Sequence, residues 1–152
     1  MRSVRIIGSV LIKNNIAVQS KNFNRYLPLG KPKILIDFLN DWGADEIVVL
    51  DIKSSIKDNS FLKENLSVIT SNCNTPISAG GGIRNIYDVE TFIRRGADKV
   101  IINTFGILSP KLINKAAIEF GNQAIIGAID VKKKKITMKF ILTLELLNLN
   151  FH

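Results

Sequence analysis

Ile77-Ser78-Ala79-Gly80-Gly81-Gly82-Ile83-Arg84 decides the fold of this chain. A short apolar run enters three consecutive glycines, and a helix-like segment follows. This is how a parallel strand brings its C-terminal end to an anion. With no Cβ in the way, backbone N–H groups can crowd a phosphate. One helical segment further on, Lys99-Val100-Ile101-Ile102-Asn103-Thr104 repeats the geometry with polar side chains in place of glycines. Two neighbouring strand ends that can share one phosphate point to an α/β barrel enzyme rather than a binding module.

Strands are predicted at 5–12, 16–19, 46–52, 76–79, 99–103 and 124–131. Several are near-continuous apolar runs such as Ile47-Val48-Val49-Leu50. Strands covered on both faces of a parallel sheet read that way. The first two, broken by Lys13-Asn14-Asn15, read as a hairpin. Helical spacing falls between the strands. Ile34, Leu35, Phe38, Leu39 and Trp42 form one apolar face that stops at Gly43. A second helix is predicted over 61–70. A third has Asn85 as its N-cap and ends near Gly96; a fourth has Pro110 at its first position and ends at Gly121. Strand and helix alternating at these lengths give parallel strands with right-handed crossovers.

An internal repeat supports this. Trp42-Gly43-Ala44-Asp45-Glu46-Ile47 recurs as Arg95-Gly96-Ala97-Asp98-Lys99-Val100. Each copy closes a helix with glycine and opens the next strand, two βα units apart. The expected architecture is therefore the (β/α)8 TIM-barrel class. However, a closed barrel has eight parallel strands and about 250 residues. This chain has 152 residues, and the pattern supplies four βα units and a fifth strand.

After Asp130-Val131 the punctuation stops. Lys132, Lys133, Lys134 and Lys135 lead into an apolar tail with neither Gly nor Pro. A run of lysine codons can be a run of adenines, where one gained or lost base shifts the reading frame. The expectation is a half-barrel over 1–131 and an out-of-frame tail over 132–152. The alternative is a short protein ending in an amphipathic helix. Five lysines against Glu145 give that tail half of the net charge of +8. No zinc-finger spacing or aromatic RNA-binding motif accompanies the charge, so nucleic acid is not an expected partner. No apolar run is long enough for a membrane span. A single cysteine, Cys73, fits a reducing cytoplasm. The only histidine is His152, which removes Ser-His-Asp and Cys-His mechanisms and most histidine-ligated metal sites.

In order and spacing, several pieces resemble the HisF family, the cyclase subunits of imidazole glycerol phosphate synthase. They are Arg5-Ile6-Ile7, Asp45-Glu46, Leu50-Asp51-Ile52, Gly80-Gly81-Gly82-Ile83, Arg95 to Val100, Ile102-Asn103-Thr104 and Ala128-Ile129-Asp130. The resemblance implies a lyase–cyclase step in histidine biosynthesis. Ammonia released from glutamine by a glutaminase partner would meet a bis-phosphorylated ribulosyl nucleotide; no cofactor or metal is implied. It also implies site residues: Asp130 as the acid–base group, Asp51 for substrate hydroxyls, and Gly81, Gly82, Asn103 and Thr104 as a phosphate cradle. Arg5, Glu46 and Lys99 would gate ammonia at the N-terminal mouth, and Asp98 would touch the glutaminase. Tight turns, caps and solvated strand-end charges are the plainer explanations of the same residues.

Two departures stand out. Leu11 occupies the place of the family's first-strand aspartate, and Gln19 that of a substrate-holding lysine. A leucine cannot move a proton, and an acid–base group contributes about 10²–10⁴-fold to rate. Cyclase chemistry is therefore expected to be severely impaired or altered even in a full-length chain, and the 152-residue half-barrel is expected to be inert. Two alternatives stay open. The stretch Ala17 to Pro32 resembles HisF paralogues linked to surface-polysaccharide sugars, which supply ammonia for amidination. The non-enzymatic alternative is self-association through the open fifth-strand edge.

Overall fold

The computed structural model describes residues 4–52 and 61–130. The tail 132–152 lies outside them. Five strands run parallel: β1 (Ile7–Lys13), β4 (Glu46–Asp51), β5 (Ile77–Gly80), β6 (Lys99–Ile102) and β7 (Ile125–Gly127). An antiparallel ribbon, β2 (Ile16–Lys21) and β3 (Arg25–Gly30), extends the sheet beyond β1, giving the order β3-β2-β1-β4-β5-β6-β7. Helices α1 (Pro32–Asp41), α2 (Phe61–Ile69), α3 (Ile86–Arg94) and α5 (Pro110–Phe120) follow four of the parallel strands. The sheet is open among the described residues, as expected of about half a TIM barrel.

Side-chain alternation along each strand separates two faces. Val10, Ile12, Ile47, Val49, Val100 and Ile102 turn toward the helices and join the buried cluster around Leu62, Leu66 and Phe92. Gly8 belongs to this face because α1 lies directly on it. A Cβ there would come within 2.7 Å of a Leu39 methyl. The opposite face, the inner wall of the barrel, carries Glu46 with Ser78 and Lys99, each of which bonds to its carboxylate. A second row on this wall crosses all five parallel strands in register: Leu11, Leu50, Gly80, Ile101 and Ile126.

The repeat has a structural meaning. Gly43 and Gly96 both take positive φ at the ends of α1 and α3, where side chains with a Cβ are disfavoured. The aspartate two residues later then pairs with the start of the neighbouring strand. Asp45 donates its N–H to Ile6 O at 2.9 Å and accepts the Ile6 N–H at 2.7 Å. Asp98 does the same with Ile77, at 2.8 and 2.7 Å.

Asn85 accepts the Asp88 N–H at 3.0 Å as the predicted N-cap of α3. The hairpin turn also forms, with Asn14 and Asn15 both at positive φ as a two-residue turn between twisted strands requires. Other expectations need correction. The first strand begins at Ile7, so Arg5 precedes it. The last strand is only Ile125–Gly127, preceded by a 3-10 turn at Asn122–Ala124. Asp130 therefore lies beyond that strand's end. Strand β3 was not expected. Its Pro28 and Gly30 read as loop, yet an edge strand tolerates proline. The five-residue helix α4 (Thr104–Leu108) is too short to show a period.

Candidate active site

The N-terminal mouth is built on one carboxylate. Glu46 opens β4 with its side chain only 5% exposed. Its Oε2 accepts Lys99 Nζ, from the first position of β6, at 2.9 Å. The Arg5 guanidinium reaches the same oxygen at 3.5 Å. Its Oε1 accepts the hydroxyl of Ser78, the fully buried second residue of β5. The strand order explains the convergence. Glu46 sits between the start of β1 and strand β5, and Lys99 stands in register with Ser78.

Burial alone raises the pKa of Glu46. The Ser78 hydroxyl, the Lys99 hydrogen bond and charge, and the Arg5 charge outweigh it. The carboxyl therefore titrates below its ordinary value and is ionised at neutral pH. Charge-assisted bonds to a desolvated carboxylate are the strong kind; here the carboxylate is buried, while Lys99 and above all Arg5 keep contact with solvent.

The structure thus brings together Arg5, Glu46 and Lys99. Sequence reasoning passed over Ser78. Its signal was a single hydroxyl inside an otherwise apolar or small-residue strand, Ile77-Ser78-Ala79-Gly80. The exposed Asp98 lies beside the mouth and spends Oδ2 on the Ile77 N–H.

At the opposite, C-terminal end of the strands, Asn103 Nδ2 donates to Asp130 Oδ2 at 2.8 Å. Asp130 is exposed. Gly81 and Gly82 follow β5 with positive φ, 129° and 68°. Thr104 opens α4 just past Asn103. Asp51 ends β4 buried, and its Oδ2 accepts the Phe61 N–H at the start of α2 at 3.2 Å. It is placed as an acceptor for the first turn of that helix. Gln19 is exposed on β2 opposite Leu27, and Lys13 Nζ lies 3.4 Å from the centre of the Tyr26 ring.

Leu11 sits beside Leu50 on the inner wall, where it completes the apolar row. Burial pushes the Cys73 thiol up, away from nucleophilic behaviour. Among the described residues no group of three His, Cys, Asp or Glu can hold a metal ion, and no helix is long and apolar enough to cross a membrane.

A family model described as histidine biosynthesis protein matches residues 5–145. The HisF subunit of imidazole glycerol phosphate synthase from Sulfurisphaera tokodaii is 41% identical over 133 residues, covering 88% of this chain and 53% of that protein. Its Lactococcus lactis counterpart is 40% identical over 134 residues, covering 88% and 52%. A Vibrio vulnificus protein provisionally named imidazole glycerol phosphate synthase subunit hisF2 is 37% identical over 137 residues, covering 88% and 49%. The chain spans about half the length of these relatives. With its parallel half-sheet and these matches over most of its length, the chain belongs to the histidine biosynthesis protein family, among its HisF-type members.

Proposed function

We propose that this chain supplies the ammonia-receiving half of an imidazole glycerol phosphate synthase cyclase subunit, working in histidine biosynthesis with a glutaminase partner. One observation carries the proposal. An almost fully buried, ionised Glu46 stands at the N-terminal mouth, held by Lys99, Ser78 and Arg5. A structural ion pair needs no such place on the inner wall. Parallel barrels bind substrate at the C-terminal ends of their strands, so a guarded polar opening at the opposite end suits a small second reactant arriving from a docked partner.

The roles of the other residues follow from where they lie. Gly81, Gly82, Asn103 and Thr104 would hold one phosphate of the ribulosyl nucleotide. Asp130, positioned by Asn103, would exchange the proton during ring closure. Asp51 supports the same end by fixing the start of α2. Asp98, at the mouth, would meet the glutaminase.

A second reading is favoured by Leu11. With no carboxylate on β1, the inner wall suits passage of neutral ammonia better than two-sided proton transfer. This is the behaviour of a paralogue that passes ammonia to a sugar-amidinating enzyme.

Complementation separates the two. A histidine auxotroph lacking the cyclase subunit receives the Leu11→Asp chain alone, or the Leu11→Asp chain together with the C-terminal half of the Lactococcus lactis HisF. Growth with the added half, abolished by Asp130→Asn, supports the cyclase. No growth, with the glutaminase still bound in pull-down, supports the ammonia-passing reading. Loss of both removes the proposal.

A further inference from the structure

At the C-terminal end of the sheet, Arg84 spans the segments that follow β5 and β6. It lies two residues after Gly82, and its guanidinium carbon is 5.8 Å from the centre of the Phe105 ring. Phe105 directly follows Thr104 and packs, partly buried, against the core. That separation is within the range of a cation held over an aromatic face. The backbone of Arg84 is fixed as well. Ile83 before it is buried. Its own N–H donates to Oδ2 of the buried Asp88 at 2.8 Å, and Asn85 after it caps α3.

The charge around these segments needs a cation. Gly81, Gly82, Asn103 and Thr104 offer neutral donors only. Asn103 also donates to Asp130 at 2.8 Å, which sets a carboxylate beside them. A phosphate monoester brings about −1.5 to −2 charge at neutral pH, so neutral donors next to a carboxylate hold it poorly. Lys63, from the first turn of α2, reaches Asp88 at 2.6 Å and answers that buried charge. Arg84 is the cation whose aromatic partner adjoins Thr104. A guanidinium presents a planar fork that matches phosphate oxygens in pairs, and it stacks on aromatic faces.

We propose that Arg84 supplies the positive charge of the phosphate cradle, its guanidinium held on Phe105 so that it faces an anion bound between the segments after β5 and β6. The cradle then selects a doubly charged phosphate monoester over a singly charged diester. Phe105 and Asp88 are positioning residues. The ring sets the direction of the Arg84 side chain, and the carboxylate fixes the backbone from which it starts. The inference rests on the reading of Gly81, Gly82, Asn103 and Thr104 as a phosphate site, and is independent of the mouth at Glu46.

The test is an NMR titration of the full chain with methyl phosphate at fixed ionic strength, without ammonia or glutaminase, so its outcome is independent of the auxotroph result. The Gly82 and Thr104 amides and the Arg84 Nε–H should shift along one binding curve. Arg84→Met should raise the dissociation constant about 10–100-fold, as loss of a hydrogen bond to a charged group does. Arg84→Lys keeps the charge without the fork and should recover part of the loss. Phe105→Leu should raise the constant about 2–5-fold. Dimethyl phosphate should bind wild type more weakly than methyl phosphate, and Arg84→Met should narrow that difference, which a merely structural role would leave unchanged. Two results overturn the role of Arg84 and leave the cradle standing: an Arg84 Nε–H that stays in place while Gly82 and Thr104 shift, or an Arg84→Met chain that binds methyl phosphate as wild type does. No shift at Gly82 or Thr104 in wild type removes the cradle and the inference together. If Arg84→Met does not fold, Arg84→Gln takes its place with the same expected loss.

Discussion

Asp98 and Ile77 exchange hydrogen bonds in both directions where two neighbouring strands begin, one through backbone at 2.8 Å and one through the Asp98 carboxylate at 2.7 Å. Asp45 and Ile6 repeat the arrangement one strand pair away. The carboxylate thereby sets where each parallel pair begins, and so brings Glu46 and Lys99 level with Arg5 and Ser78. Asp98→Ala and Asp45→Ala should each lower stability by about 1.5–3 kcal/mol, the range for hydrogen bonds to charged groups. The two pairs share no partner, so the double variant should lose nearly the sum. Urea unfolding of the single and double variants checks this. A double variant no worse than either single would show that the two clasps act as one unit.

The Glu46 cluster predicts an acid limb in stability. The folded-state pKa lies below the ordinary 4.5. The stabilisation is therefore complete above the unfolded value and is lost as pH falls through the folded one. Glu46→Gln cannot titrate there. The stability gap between wild type and Glu46→Gln should be constant near neutrality and shrink below about pH 4. Urea midpoints measured from about pH 7 down to about pH 3 provide the comparison. A gap that widens on acidification would mean that burial, rather than the cations and Ser78, governs this carboxyl.

How much of this could be read from the sequence depended on the kind of signal. The βα alternation and the Gly-Ala-Asp repeat were legible because they recur and because glycine marks a helix end. Arg5, Glu46 and Lys99 were found by resemblance; their convergence on one oxygen needed the strand register. Ser78 was hidden because one hydroxyl in an apolar run has no period. The position of Asp51 at the end of its strand is legible from the apolar run before it, but its bond from the Phe61 N–H depends on where α2 begins. Strand β3 was masked by Pro28, which an edge strand accommodates. The end of β7 was placed too late because Ala128-Ile129 continues the apolar pattern after pairing has stopped at Gly127.

Gly80 tests the packing of the inner wall. A Cβ there would stand 2.5 Å from the Ile101 carbonyl oxygen and 2.8 Å from the Ile101 Cβ. Backbone cannot swing aside as a side chain can. Gly80→Ala should cost about 1–3 kcal/mol, the usual range for overpacking. The Glu46 titration should survive in the molecules that fold, because Ser78 and Lys99 pair two register steps nearer the mouth. Chemical denaturation combined with the same carboxyl titration reads both effects. A variant as stable as wild type would mean that β5 and β6 can separate locally.

Leu11 carries the sharpest consequence. It pairs in register with Leu50 and lengthens an apolar row that runs through Gly80 and Ile101 to Ile126. An aspartate placed there meets apolar neighbours, which raise its pKa by disfavouring the charged form. A carboxyl with a raised folded-state pKa lowers stability most above that pKa, and the loss is relieved as pH falls below it. Leu11→Asp should therefore cost about 1–3 kcal/mol at neutral pH and less in mild acid. The same raised pKa suits an acid–base group, which works best when it titrates near the operating pH. With the C-terminal half-barrel supplied, Leu11→Asp should raise ammonia-dependent cyclase turnover by about 10²–10⁴-fold, and Asp130→Asn should abolish the gain. Turnover unmoved by Leu11→Asp, in a variant shown to be folded, would mean that this wall does not perform ring closure. The mouth at Glu46 would then serve a different acceptor.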